Sequence, residues 1–149
     1  MKKHLTDTLG FQKRILVVDD NELIRVSLSD SLSVFGYEVV TASAGVEGYE
    51  LLLQNRFDLV ITDCQIPEID GWHLVDLIKE RRPYTPVLMI TGQSREEILE
   101  KMTTGQVDFL MFKPFRMKEL HHIVQSFLVN NSSERNTTKI CKDVYQTSV

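Results

Sequence analysis

Ile15-Leu-Val-Val-Asp19-Asp20 decides the fold. Four apolar residues run without a polar interruption and stop at two carboxylates. Such a short continuous run reads as a strand buried on both faces. Three more fragments repeat the plan: Asp58-Leu-Val-Ile-Thr-Asp63, Val87-Leu-Met-Ile-Thr91 and Phe109-Leu-Met-Phe-Lys113. In a parallel sheet all four ends fall on one edge, where they gather three carboxylates, one hydroxyl and one ammonium. Open α/β sheets bind ligands at the carboxyl ends of their strands. One pattern therefore predicts an architecture and the place of a site.

The segments between the runs have helical spacing. After Asp20, residues Leu23, Ile24, Leu28, Leu32 and Phe35 form an apolar side that Gly36 closes, since glycine readily takes the left-handed cap conformation. Glu38 to Thr41 is a short second strand, and Val46 to Asn55 a helix with Tyr49, Leu52 and Leu53 inward. The third strand is Asp58–Thr62. Ile66 to Gly71 holds turn residues, and Trp72 to Arg82 is a helix with Leu74, Leu77 and Ile78 on one side. Val87–Ile90 is the fourth strand, Ser94-Arg-Glu-Glu a helix start with an N-cap and first-turn acids, and Val107–Phe112 the fifth strand. A last helix runs from Met117 to about Val129 and carries Leu120, Ile123, Val124, Phe127 and Leu128. Five β-α units with right-handed crossovers predict a doubly wound α/β sheet.

The chain has 149 residues, most simply one domain that buries roughly 70% of its unfolded surface. Residues 1–13 are polar and expected to be loose, residues 14–129 carry the β-α pattern, and the polar tail 130–149 is expected to be disordered even with Ile140, Val144 and Tyr145 in it. That tail is too short for a helix-turn-helix output domain. A net charge of −4 argues against a nucleic-acid or anionic-membrane surface. No apolar stretch reaches the roughly 20 residues that span a bilayer, and the first residues lack a signal-peptide core. A cytoplasmic location is the expectation. Asn130, Asn131 and Asn136 each begin an Asn-x-Ser/Thr pattern, which in that compartment is a chance match. Of the two cysteines, Cys64 and Cys141, neither has metal-site spacing; Cys64 reads as a small apolar residue at a strand end.

The strand-end residues carry the chemistry. Asp19, Asp20 and Asp63 repel one another when gathered, and a hard divalent cation relieves that cost. Mg²⁺ accepts a few carboxylate oxygens and keeps positions for water or phosphate oxygens. Thr91 and Lys113 can both donate to phosphoryl oxygens. A carboxylate among these groups is a nucleophile for making an aspartyl-phosphate. Singly, each residue has a bland reading: an N-cap for Asp19-Asp20, a loop residue for Asp63, a capping hydroxyl for Thr91, a solvated ammonium for Lys113. The signal lies in their joint placement on one sheet edge.

Val17-Val-Asp19-Asp20-Asn21, Asp63-Cys-Gln-Ile-Pro67-Glu-Ile-Asp70-Gly71, Thr91-Gly92 and Lys113-Pro114-Phe115 together resemble the receiver domain of two-component response regulators, over about residues 14–129. The resemblance implies a flavodoxin-like fold with strand order 2-1-3-4-5. It implies that Asp63 is the phospho-acceptor, that Asp19, Asp20, Asp63 and the backbone carbonyl of Gln65 hold Mg²⁺, that Thr91 engages the phosphoryl group, and that Lys113 pairs with the acceptor or its phosphate. Its lysine–proline bond is often cis. Implied partners are a sensor histidine kinase or histidine phosphotransfer protein, a downstream protein target, and a second copy in a phosphorylation-dependent dimer. The chain would then be no enzyme beyond its own phosphoryl transfer and dephosphorylation.

Two positions depart from the family pattern. Leu110 stands three residues before the lysine, where an aromatic is usual, and Gln106 after Gly105 stands where the family often has glycine. Gln65 and Gln93 are expected to flank the path of attacking water. Two rivals remain: an unphosphorylated pseudo-receiver, and a Mg²⁺-dependent aspartyl-phosphate phosphatase of the haloacid dehalogenase class. The latter needs a general acid two residues after its nucleophile, where this chain has Gln65.

Overall fold

A computed structural model of the chain describes residues 12–102 and 107–129. Along them strands and helices alternate: β1 (Arg14–Val18), α1 (Glu22–Val34), β2 (Glu38–Ala42), α2 (Gly45–Gln54), β3 (Leu59–Asp63), α3 (Gly71–Arg81), β4 (Val87–Thr91), α4 (Arg95–Lys101), β5 (Phe109–Phe112) and α5 (Met117–Val129). Most of the N-terminal segment 1–13, the tail 130–149 with Cys141 and its Asn-x-Ser/Thr patterns, and the Gly105-Gln106 pair lie outside the described residues. Among the described residues no helix is long and apolar enough to cross a membrane.

The strands form one parallel sheet in the order β2-β1-β3-β4-β5, a doubly wound, flavodoxin-like topology. Register aligns the carboxyl ends: Val18 pairs with Ala42 and Thr62, Asp63 with Ile90, and Thr91 with Phe112. Successive side chains point to opposite faces, so each strand feeds two cores. Leu16, Val18, Val60, Met89 and Leu110 pack beneath Leu52 of α2, Leu74 and Ile78 of α3, and Ile98 of α4. Ile15, Val17, Ile61, Ile90 and Met111 pack beneath Leu28 and Leu32 of α1 and Leu120, Val124 and Leu128 of α5. Burial on both faces is why β1, β3, β4 and β5 carry unbroken apolar runs, while the edge strand β2 does not.

Local chemistry sets the helix ends. The Asn21 side chain accepts from the Ile24 N–H, Asp70 from the His73 N–H, and Ser94 forms a capping box with Glu97. Gly36, past the end of α1, has φ 96°, a left-handed value that favours glycine.

Several expectations are corrected. Leu23 is 78% exposed, because α1 packs through Ile24, Leu28 and Leu32, and the preceding position lies about 100° around the helix. Phe35 lies beyond the last turn and is partly exposed, its ring stacked on that of His121. On α2, Leu53 faces outward while Gly45, Gly48 and Leu52 face inward. This helix approaches β1 so closely that a Cβ on Gly48 would lie 2.8 Å from a Val18 methyl. The fifth strand starts at Phe109, two residues later than the apolar run suggests. The Asp108 carboxylate there accepts from the Val87 N–H and from Lys79 Nζ, replacing a strand carbonyl as the partner of Val87.

Candidate functional site

Asp19 follows β1 directly and is 3% exposed. Its N–H donates to Ala42 O on β2, which holds the backbone to the sheet edge. Its Oδ1 accepts from the Asn21 N–H at 2.9 Å. Asp20 is exposed. Asp63 is the last residue of β3 and is 9% exposed. Its Oδ1 accepts from the Gln65 N–H at 3.0 Å, and its Oδ2 accepts from Lys113 Nζ at 2.7 Å. The same ammonium lies 3.8 Å from Asp19 Oδ2. One carboxylate oxygen from each of Asp19, Asp20 and Asp63 lies within 4.8 Å of the others.

Thr91 ends β4 fully buried. Its Oγ1 accepts from the Gln93 N–H at 3.0 Å, and its carbonyl accepts from the Lys113 N–H at 2.7 Å. Lys113 is thereby anchored to β4 through its backbone and to Asp63 through its side chain. The Lys113–Pro114 peptide is cis. Gly92 leaves open space beside these groups: a Cβ there would meet only Lys113 Cδ, at 4.0 Å. Gln65 sits at the rim of a cavity of about 470 Å³ that Asp20, Cys64, Asp70, Gln93 and Lys101 also line.

Charge is unbalanced here. Burial raises the pKa of Asp19 to about 6, and the neighbouring charges of Asp63 and Asp20 push in the same direction. The Asn21 hydrogen bond and the Lys113 ammonium oppose the rise without cancelling it. Three oxygen-donor carboxylates facing one ammonium are a donor set that suits a hard divalent cation.

The edge thus brings together the five polar residues anticipated from the strand ends. Other contacts were not anticipated from the sequence. Cys64, read as a small apolar residue, is buried as expected, yet its Sγ also donates to Gln93 Oε1 at 3.1 Å. Burial holds its thiol above the usual range. Arg25, one turn into α1, donates to the Asp19 carbonyl. Gly71 donates its N–H to the Cys64 carbonyl and lies so close that a Cβ would strike the Asp63 carbonyl oxygen. Its place after Asp70 in the turn was the available signal for Gly71; nothing marked the other two.

Comparison with known proteins places this arrangement. A family model described as response regulator receiver domain matches residues 15–125. A protein-glutamate methylesterase/protein-glutamine glutaminase of Archaeoglobus fulgidus is 37% identical over 119 residues, covering 77% of this chain and 34% of that protein. The chain therefore spans about a third of that relative's length. Among solved structures, a CheY-like response regulator receiver domain protein of Methanospirillum hungatei superposes with a TM-score of 0.75 at 29% identity, covering 79% of this chain and 94% of that one. The response regulator TrrA of Thermotoga maritima, solved in complex with Mg²⁺–BeF, gives a TM-score of 0.72 at 32% identity, covering 78% and all of that chain. The family match runs from within β1 into α5 and takes in every strand end discussed above. The chain belongs to the response regulator receiver domain family of two-component systems.

Proposed function

We propose that the chain is a phosphorylation-controlled switch whose acceptor is Asp63. One observation carries the reading: the Asp63 carboxylate, with Asp19 and Asp20 beside it, is held at 2.7 Å by the Lys113 ammonium. A sensor histidine kinase or histidine phosphotransfer protein presents phosphohistidine. A carboxylate oxygen of Asp63 forms a bond to phosphorus, the phosphorus–nitrogen bond breaks, and its electron pair leaves with the imidazole. Asp19, Asp20, Asp63 and the Gln65 carbonyl would hold Mg²⁺, which when bound offsets the negative charge of the phosphoryl oxygens.

Lys113 already contacts the acceptor and is placed to stay with a phosphoryl oxygen after transfer. The Thr91 hydroxyl accepts one hydrogen bond and keeps its own proton to donate to that group. The added charge and acceptor oxygens draw these residues together. The surface of α4, β5 and α5 then changes its affinity for a downstream protein or a second copy of the chain. Residues 14–129 act as the receiver unit in this reading.

The deciding experiment incubates the protein with acetyl phosphate and Mg²⁺ and assays acid-labile phosphate. Wild type should become labelled and Asp63→Asn should not. Labelling of Asp63→Asn overturns Asp63 as acceptor. A wild type that takes no label but still binds a partner is an unphosphorylated interaction module, and steady hydrolysis of free phosphomonoesters would make it a phosphatase.

A further inference from the structure

Two neighbouring aspartates can serve one ion only if the chain turns between them. Successive side chains in a strand point to opposite faces. Yet carboxylate oxygens of Asp19, Asp20 and Asp63 lie within 4.8 Å of one another. Strand β1 ends at Val18, and the chain bends at Asp20. The peptide linking Asp19 to Asp20 is therefore the joint that sets where the second carboxylate goes.

That joint is braced from both sides. On the sheet side, the Asp19 N–H donates to the Ala42 carbonyl at 3.1 Å. On the helix side, the half-buried Arg25 reaches back over the first turn of α1, and its Nη1 donates to the Asp19 carbonyl at 2.8 Å. The Arg25 N–H donates to the Asn21 carbonyl at 3.0 Å, and the Asn21 N–H donates to Asp19 Oδ1 at 2.9 Å. The guanidinium thus closes a ring of contacts over residues 19–25. A charged donor makes its link stronger than a neutral one. Asp20 is held differently. It is exposed, and among the described residues no hydrogen bond fixes its side chain. Its carboxylate goes where the peptide before it points.

Arg25 is a cation beside a cation site, so its charge and its hydrogen bond act in opposite directions. The charge repels a divalent ion, while the hydrogen bond shapes the ion's donor set. The charges that bear on the Asp19 carboxylate are those of Asp63, Lys113 and Asp20. The guanidinium gives its contact to a backbone oxygen instead.

We propose that Arg25 is a positioning residue: by holding the Asp19–Asp20 peptide, it aims the Asp20 carboxylate at a divalent cation shared with Asp19 and Asp63. The inference rests on the metal reading of that cluster. It gives Arg25 a sign: removing this cation weakens the binding of another cation.

The test titrates Mg²⁺ into wild type, Arg25→Met, Arg25→Lys, Asp20→Ala and the Arg25→Met/Asp20→Ala double variant, following backbone amide signals, with thermal melts to establish folding. Without metal, the ¹³C carbonyl signal of Asp19 should move in Arg25→Met. It should stay near wild type in Arg25→Lys, which keeps a charged donor. Arg25→Met should bind Mg²⁺ roughly tenfold more weakly, the equivalent of one charge-assisted hydrogen bond. Arg25→Lys should recover most of the wild-type affinity, and the double variant should bind no worse than Asp20→Ala alone. Should Arg25→Met melt below the assay temperature, Arg25→Gln, whose amide ends short of the Nη1 position, carries the same expectations.

Unchanged Mg²⁺ affinity in the folded Arg25→Met variant overturns the proposal. Tighter binding overturns it as well, by showing that Arg25 acts as a charge alone. An equal loss in the Asp20→Ala background means that Arg25 does not work through Asp20, and an unmoved Asp19 carbonyl removes the contact itself. Each of these leaves the metal reading standing. A wild type that binds no Mg²⁺ overturns the metal reading and this inference together.

Discussion

Thr91 and Phe112 are register partners across β4 and β5. Phe112 packs over the same core as Leu110, which is 3% exposed, and the Arg95 guanidinium lies 5.4 Å from the Phe112 ring centroid. The aromatic nearest the threonine in register is thus Phe112, held from outside by the first residue of α4. Phe112→Ala should cost about 2 kcal/mol, below the usual core value because the ring is only half-buried. Arg95→Ala should cost less than about 1 kcal/mol. Urea unfolding of both and of the double variant measures the coupling; an additive result would show that the cation and ring do not interact.

Asp19 supplies a pH prediction. Its pKa is about 6 when folded against 3.8 unfolded, so between these values the folded state holds more protons. Stability from this group is therefore greatest at acid pH, falls as pH rises through that window, and stays at its lowest above it. Asp19→Asn, neutral at all pH, should melt higher than wild type above pH about 7 and converge with it near pH about 4. Wild type should also gain melting temperature from Mg²⁺ at the higher pH and progressively lose that gain below about 6, where protons compete for the same carboxylate. Scanning calorimetry with and without the metal checks both; a Mg²⁺ effect that ignores pH would contradict them.

Gly71 supplies a steric prediction. A Cβ there would meet the Asp63 carbonyl oxygen and lie 2.9 Å from Cys64 Cα, both parts of the backbone carrying the acceptor. Backbone yields less easily than a side chain tip, so Gly71→Ala should cost about 2 kcal/mol or more. It should also slow labelling by acetyl phosphate. Stability and labelling that both match wild type would mean the turn before α3 can move aside.

A fourth prediction concerns the far end of the sheet. Lys79 Nζ lies 2.6 Å from Asp108 Oδ2 and also donates to the Thr85 carbonyl, while the same Asp108 oxygen accepts from the Val87 N–H. Both side chains are largely buried. Asp108→Ala should cost about 3 kcal/mol because it strands the ammonium and the Val87 N–H together. Labelling of Asp63 should be unchanged in whatever fraction is folded. Chemical unfolding gives the first quantity, and phosphate incorporation per folded molecule the second.

The strands were legible because burial on both faces leaves a short apolar run, too brief for a helix of ordinary length and closed by polar or turn residues. Their ends were legible because a polar residue closing such a run has one edge to occupy. Contacts between distant elements were not. Lys79 and Asp108 are 29 residues apart with no periodicity to link them. Leu23 and Phe35 fit a helical apolar side in sequence, and only the narrow contact of α1 with the sheet leaves Leu23 outside. Gly48 carried no turn signal; its reason is the nearness of Val18. The Cys64–Gln93 hydrogen bond depends on a buried rotamer, which composition does not encode.

The sheet separates two cores that meet only through the strands themselves. A repacking beneath α4 and a repacking beneath α1 and α5 are therefore nearly independent events. Substitutions can accumulate on one side without loosening the other.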